Sequence, residues 1–360
     1  MTINKNRLLP PGKDNPRNSE GVFLKLGGTR VMFAYTHYYA GRGGDHDNAY
    51  IAARYSEDNG KTWTPEDVII LQNEGQCNIM SISFLKLQNG DVLIGYLLKN
   101  STSDCKYCIR RSKDNGKTWG DRIEVTRETK YHVVNNDRMI QLSMGRIIVP
   151  VAIHSDAGSG EYNSRGRVAV WFSDDNGYTW QQSNTVLESP VAADTEIVVP
   201  GDLTVKHKSG FQEPGIVELK DGRVMMWIRT DLGMQYISYS KDKGETWSSV
   251  EKSGLLSPCS PATIKRIPST GDLVVVYNDH SGRIPFVPLK RTPLVSAISK
   301  DDGITWEKHK VLEDNPDGWY CYIAMEFAGA DMLLAYCAGD KTVGKLSLTQ
   351  ITRVPVTELY

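Results

Sequence analysis

The sequence predicts an all-β protein, a six-bladed β-propeller of four-stranded antiparallel blades. An eight-residue phrase, Ser-x-Asp-x-Gly-x-Thr-Trp, recurs five times, starting at Ser56, Ser112, Ser173, Ser240 and Ser299. Runs rich in β-branched and aromatic residues are arranged in the same way around each copy. No helical period is sustained and no linker divides the chain, so the 360 residues are expected to form one domain, residues 1–360. The copies lie about sixty residues apart, an interval that signals a repeat architecture.

The chemistry of the phrase is that of a turn. Asp and Ser side chains hydrogen-bond backbone amides a few residues on and close the chain tightly. Gly supplies a conformation that a residue with a Cβ resists. Thr and Trp re-enter an extended segment, and the indole brings a large area to bury. The aspartates could in principle bind metal or act in catalysis. One active site does not need five identical copies, so they are expected to be fold staples on outer turns, away from the chemistry.

The units follow in order. In the first, runs 21–26 and 30–35 flank Gly27-Gly28, and 49–55 leads into the phrase. The second has 82–87, Asn89-Gly90, 92–97 and 107–111; the third has 139–142, Gly145, 147–152 and 167–172. The fourth has 216–219, Asp221-Gly222, 224–228 and 236–239; the fifth has 262–267, Thr270-Gly271, 273–277 and 294–298. The Asn-Gly and Asp-Gly pairs are hairpin turns. One more short run follows each Trp, such as 68–71 or 123–125. A sixth unit lacks the phrase and supplies three strands, 322–327, 332–336 and 344–351. Its fourth strand is expected from the N-terminus, where Leu8-Leu9 precede a Pro-Pro break, so that the two ends of the chain seal the ring. Four longer inserts, 38–48, 154–166, 191–211 and 279–292, are candidate walls of a site at one end of the central channel.

Lys and Arg total 42 against 43 acidic residues, a balance that points to neither nucleic acid nor an anionic membrane as partner. Six cysteines are not a disulfide framework at this length, and Cys105-x-x-Cys108 has no second pair to complete a zinc site and is placed in a strand. No apolar run is long enough to span a bilayer. Residues 1–14 lack the apolar core of a signal peptide, so the sequence as given reads as cytoplasmic, or as secreted or periplasmic if a leader has been removed.

The five phrases resemble the Asp-box, or bacterial neuraminidase repeat, of the sialidase superfamily, and the resemblance covers nearly the whole chain. The same box occurs in other glycan-active and non-catalytic proteins. Sialidases carry a second signature of three arginines, a Tyr–Glu pair and an Asp. Here Glu213 in Gln212-Glu213-Pro214, with Arg229 closing the next strand, is similar to the family's Glu and second arginine. Arg291, eight residues before Ser299, matches the place of the third arginine. Arg17, four residues before the first run, matches the arginine of the family's Arg-Ile-Pro, although the Ile-Pro is absent. Tyr322 opens the inner strand of unit six, where the family keeps its nucleophile; Tyr320 shares the expected strand face, so either could reach the channel. Asp45 and Asp47 lie in the Gly-rich loop where the family has its acid/base Asp, and either could serve. His46 between them, and Asn136 and Arg138 at the start of unit three, are candidate substrate contacts.

The residue chemistry agrees with that assignment. A sugar carboxylate is best held by planar, always-charged, bidentate donors. A phenol with an ordinary pKa near 10 needs a base such as Glu213 to become a nucleophile. A Tyr nucleophile also suits an anionic sugar, which would repel a carboxylate. The resemblance implies a retaining exo-glycosidase of sialidase type that removes terminal sialic or related nonulosonic acid from a glycan or oligosaccharide, with no cofactor and no metal. The altered Arg17 motif leaves open hydrolysis or elimination at another sugar on the same propeller, or a non-catalytic glycan-binding propeller.

Overall fold

Six small antiparallel sheets stand as blades around a central channel in the computed structural model, which describes residues 3–156 and 160–360. Residues 1 and 2 of the N-terminal stretch and residues 157–159 of the insert 154–166 lie outside the described residues. From the channel outward, blade one is Arg17–Gly27, Arg30–Tyr38, Ala49–Ser56 and Val68–Leu71. Blade two is Asn78–Lys86, Val92–Lys99, Cys105–Ser112 and Ile123–Glu124. Blade three has a broken inner strand, His132–Val133 and Ile140–Gln141, followed by Ile147–Ser155, Tyr162–Ser173 and Gln181–Gln182. Blade four is Gln212–Glu218, Val224–Arg229, Met234–Ser240 and Glu251–Leu256. Blade five is Thr263–Arg266, Leu273–Asn278, Leu294–Ser299 and Glu307–Glu313.

Blade six is Trp319–Ala328, Asp331–Gly339, Thr349–Pro355 and, from the other end of the chain, Asn4–Leu9. The N-terminal strand pairs antiparallel with Thr349–Pro355, Lys5 opposite Thr352 and Leu9 opposite Thr349, which closes the ring as expected. Several details differ from the sequence expectation. Tyr322 does not open its strand but is the fourth residue of Trp319–Ala328. Arg17 is the first residue of its strand rather than four residues ahead of it. The insert 191–211 carries its own hairpin, Glu196–Val199 against Leu203–Lys206.

The core is divided among the blades. Six apolar clusters lie between neighbouring blades. Along Val92–Lys99, for instance, Val92, Ile94, Tyr96 and Leu98 pack toward blade one, while Leu93 and Leu97 pack toward blade three. Both faces are covered, so the middle strands read as unbroken apolar runs instead of alternating ones.

The repeated phrase closes the turn after each third strand. In the first copy the Asp58 carboxylate accepts from the amides of Lys61 and Thr62, both at 2.9 Å, and from the Thr62 hydroxyl at 2.7 Å. Ser56 Oγ accepts from the Gly60 amide at 2.8 Å. The glycine also docks each blade on the one before it. A Cβ on Gly60 would stand 2.9 Å from Leu333 of blade six, and one on Gly177 3.2 Å from Leu93 of blade two.

Five of the six inner strands share a further feature. Each is interrupted by a residue in the left-handed region: Glu20 (φ 55°), Ser81 (54°), Asp137 (59°), Glu213 (42°) and Tyr322 (59°). At four of these the strand register shifts as in a β-bulge, and at Asp137 the strand is broken outright. A bulge re-aims a side chain, and these residues are polar and cluster at the channel.

Candidate active site

The channel has two mouths. At the ends of the inner strands is a cavity of about 570 Å³ walled from all six blades. At their starts is a polar cavity of about 260 Å³, lined by Glu20, Asp45, Ser81, Lys99, Glu213, Arg229 and Tyr322 among others. Buried charge separates the two. Arg138 reaches from blade three to donate to Thr263 Oγ1 (3.2 Å) and the Ala262 carbonyl (2.8 Å) of blade five. Lys265 bridges Asp137 (2.8 Å) and the Met325 carbonyl (2.6 Å).

The smaller cavity is lined by four of the ten residues marked by the sequence, Asp45, Glu213, Arg229 and Tyr322, and others stand around it. Tyr322 donates its hydroxyl to Glu213 Oε1 at 3.3 Å. Glu213 Oε2 pairs with Arg229 Nη1 at 2.6 Å. The Arg291 guanidinium lies over the Tyr322 ring, 5.4 Å from its centre, and over Trp319 at 5.2 Å. Its Nε is buried without a hydrogen-bond partner among the described residues. Burial alone would raise Glu213, but Arg229 and Arg291 outweigh it and hold the carboxyl below its ordinary range. Burial and the Glu213 charge push the Tyr322 phenol well above its ordinary value, against the pull of Arg291 and Arg229. At rest the pair is therefore a protonated phenol beside a carboxylate, and both shifts keep the proton on the phenol.

Arg17 is the most committed of the three arginines. Its Nε donates to Ser19 Oγ (2.8 Å), its Nη2 to Glu20 Oε1 (2.6 Å), and its Nη1 to Asp45 Oδ1 (2.6 Å) and the Gly43 carbonyl (3.2 Å). Burial works to raise Asp45, but Arg17 and then Lys99 keep it below the usual carboxylate range. Lys99 also donates to the Asp45 carbonyl at 3.1 Å and fixes the loop over the pocket.

Other marked residues are placed differently. Asp47 turns away from the pocket, its Oδ2 accepting from the amides of Arg42 and Gly44, both at 2.8 Å, so it closes the loop that presents Asp45. His46 stands at the rim, Nε2 3.4 Å from the Tyr131 hydroxyl. Asn136 is fully buried, its Nδ2 donating to the carbonyls of Gly21 (2.7 Å) and Tyr322 (3.1 Å). It holds backbone, and Arg138 holds the floor. Tyr320 packs edge-on against Tyr336, 6.2 Å between ring centres, in the cluster between blades five and six. The left-handed Tyr322 breaks the strand alternation, which sends the two tyrosines to different surroundings.

Glu20 and Lys99 were not anticipated. Glu20 is buried, bonded to Arg17 on one oxygen and to the Ser81 hydroxyl on the other. The signal for it was an acid three residues after Arg17 in one inner strand; for Lys99 it was a charge closing an otherwise apolar run.

Fold and site together define a class: a six-bladed Asp-box propeller with an Arg, Tyr and Glu cluster at one mouth. The BNR repeat-like domain family matches residues 97–332 and the BNR/Asp-box repeat residues 54–65, and the chain belongs to this family, within the sialidase superfamily. A sialidase of Paraclostridium sordellii is 26% identical over 250 residues, 61% of this chain and 54% of that protein; the chain spans about half the length of this relative. Among solved structures, a protein of unknown function from Dyadobacter fermentans aligns over 98% of this chain and 99% of its own, at TM-score 0.72 and 20% identity. Trypanosoma rangeli sialidase, in its covalent intermediate with 2,3-difluorosialic acid, aligns over 99% of this chain and 60% of its own, at TM-score 0.71 and 16% identity. At such identities the structures share the fold. Among the described residues no helix is long and apolar enough to cross a membrane.

Proposed function

We propose that the chain is a retaining exo-glycosidase of sialidase type, acting on terminal sialic or related nonulosonic acid of a glycan. The observation that carries it is the Tyr322 hydroxyl 3.3 Å from the Glu213 carboxylate at the mouth of the channel. Tyr322 attacks the anomeric carbon while Glu213 takes the phenol proton. Asp45 protonates the departing oxygen, then removes a proton from the water that releases the sugar. Arg291, Arg229 and Arg17 hold the sugar carboxylate. The sialidase relative and the covalent intermediate of the Trypanosoma rangeli enzyme support this reading.

One observation favours a second reading. Arg17 already serves Ser19, Glu20, Gly43 and Asp45, which suits a sugar that makes less use of a carboxylate clamp. A panel of fluorogenic glycosides, sialosides included, separates the two. Under the first reading a sialoside is turned over, Tyr322→Phe lowers kcat by about a hundredfold or more while sugar binding persists, and 2,3-difluorosialic acid leaves an adduct on Tyr322. Turnover of a neutral glycoside alone, or normal turnover by Tyr322→Phe, refutes it.

A further inference from the structure

Outside the pocket, three side chains stand in a relay that the glycosidase chemistry does not use. Ser189 Oγ is 2.9 Å from His207 Nε2, and His207 Nδ1 is hydrogen-bonded to Asp231 Oδ1. The other Asp231 oxygen accepts from the amides of Lys208 (2.8 Å) and Ser209 (3.0 Å). His207 is fully buried, and Ser189 is half-buried between exposed Glu188 and Pro190. We propose that Ser189, His207 and Asp231 form a second hydrolytic centre, one that cleaves carboxylic acyl esters carried on a sugar hydroxyl.

The tautomer follows from the partners. Asp231, a carboxylate with two amide donors, can only accept, so Nδ1 carries the ring proton. The neutral imidazole then has its lone pair on Nε2, and the Ser189 hydroxyl donates to it. This is the order of roles that activates a serine: nucleophile, base, and an acid that orients the base.

A cation stands at the same turn. Arg165 Nη2 donates to the Val191 carbonyl, a second and longer acceptor (3.3 Å) for the Ser189 hydroxyl beside His207 Nε2, and Arg165 Nη1 is buried without a hydrogen-bond partner among the described residues. The Val191 amide is also 3.3 Å from Ser189 Oγ. Arg165 and Ser189 thus meet at the Val191 carbonyl, which puts a guanidinium in the second layer around the serine.

The chemistry balances without a cofactor. Ser189 Oγ bonds to the acyl carbon as its proton passes to His207 Nε2. The carbon–oxygen bond to the sugar breaks, and the sugar alkoxide leaves with that proton. Water, deprotonated by the same imidazole, then attacks the acyl-serine, releases the acid and restores the hydroxyl. A sugar ester fits the location: Asp231 is two residues past Arg229, and Cys259 Sγ links the Arg229 Nε (3.3 Å) to Ser209 Oγ (3.9 Å). The choice of a sugar ester rests on the proposed glycosidase reading, in which the pocket at Arg229 holds the sugar.

The test uses the full chain, an alkyl fluorophosphonate probe and p-nitrophenyl acetate, which has no glycosidic bond, so its outcome does not depend on the glycosidase reading. The expected result is a phosphonyl adduct mapped to Ser189. Ester hydrolysis should fall about a hundredfold or more in Ser189→Ala and in His207→Gln. Ser189→Ala should keep the wild-type melting temperature and whatever glycoside turnover the wild type shows. Labelling of the folded wild-type protein decides the matter even where a variant fails to fold. Absence of an adduct on Ser189, or ester hydrolysis by folded Ser189→Ala at the wild-type rate, overturns the proposal.

Discussion

Arg17 and Asp45 present a conflict that a single substrate can resolve. A carboxyl group acting as general acid must carry a proton, yet the 2.6 Å contact with Arg17 keeps Asp45 an anion. A sugar carboxylate competes for the same guanidinium. Once it occupies Arg17, Asp45 loses its strongest counter-charge and its pKa climbs toward the range a general acid needs. On the proposed sialidase reading, Asp45 stands in for the substrate's carboxylate until substrate arrives. Asp45→Asn removes the competitor and the acid together. In that variant the anionic sugar should bind more tightly, while kcat falls by about 10²–10⁴ for natural leaving groups and much less for activated aryl ones. Titration calorimetry and a leaving-group series check this; unchanged affinity with an equal loss on every leaving group would count against the competition. Part of this arrangement was legible, because the repeat locates Glu213 at the start of one strand and Arg229 at the end of the next, and puts Arg291 just ahead of a third. What was not legible is the left-handed backbone. Neither Tyr320 nor Tyr322 is a residue type that announces a positive φ, and strand parity alone made them equivalent.

The Asp-box turn is the repeated element, and two forces meet in it. Its aspartate fastens the turn, and its glycine seats that turn on the preceding blade. The first property depends on pH. Burial opposes ionisation of Asp58, but the Thr62 amide and hydroxyl, the Ser56 hydroxyl and the Lys61 amide outweigh it, and its pKa is pushed down to about 2. Asp175 is likewise held at about 2, by the hydroxyl and amide of Thr179 and then Ser173 and Tyr178, against the effect of burial. A carboxyl group depressed in the folded state stabilises fully above its unfolded value of about 3.9 and loses that contribution as pH falls through the folded value. The urea midpoint should therefore drop between about pH 4 and pH 2, and Asp58→Asn should flatten part of the drop; a midpoint that rises toward pH 2 would contradict the assignment. The second property depends on space. Gly60 and Gly90 both have positive φ, 79° and 91°, but a Cβ meets Leu333 at 2.9 Å in the first and nothing within 4 Å in the second. Gly90→Ala should cost about 1 kcal/mol, the backbone penalty alone. Gly60→Ala should cost about 1–3 kcal/mol more, from overpacking between blades, and equal urea midpoints for the two variants would show that the docking contact carries no weight. The turn itself was legible from five copies of one phrase. Its seat on the neighbouring blade was not, because Gly60 and Leu333 are brought together only when the ring closes.

At the scale of the molecule, a ring of blades has to place groups from distant parts of the chain within one ångström-scale site. The closing strand Asn4–Leu9 and the six inter-blade clusters fix the circumference, but they lie outside the channel and cannot set the aim of a side chain at its axis. That task falls to polar side chains that cross the channel, and among the described residues Asn136 touches the backbone of Tyr322, the proposed nucleophile. From blade three it donates to Gly21 O of blade one and Tyr322 O of blade six. Gly21 follows Glu20, so a single amide group ties the two left-handed positions that carry Glu20 and Tyr322. Its burial leaves no room for water to replace it cheaply. Asn136→Ala should cost about 1–3 kcal/mol of stability for each carbonyl left without its donor. A merely structural loss would reduce the amount of folded enzyme and leave its kinetic constants alone. A positioning loss would instead let Tyr322 drift from Glu213, where a displacement of about 1 Å can cost a hundredfold. The expected outcome for the folded fraction is a kcat lowered about tenfold or more with KM little changed, and no further kcat loss when Asn136→Ala is added to Tyr322→Phe. Wild-type kcat in the folded fraction of Asn136→Ala, or fully multiplicative losses in the double variant, would remove Asn136 from any role in aiming the tyrosine.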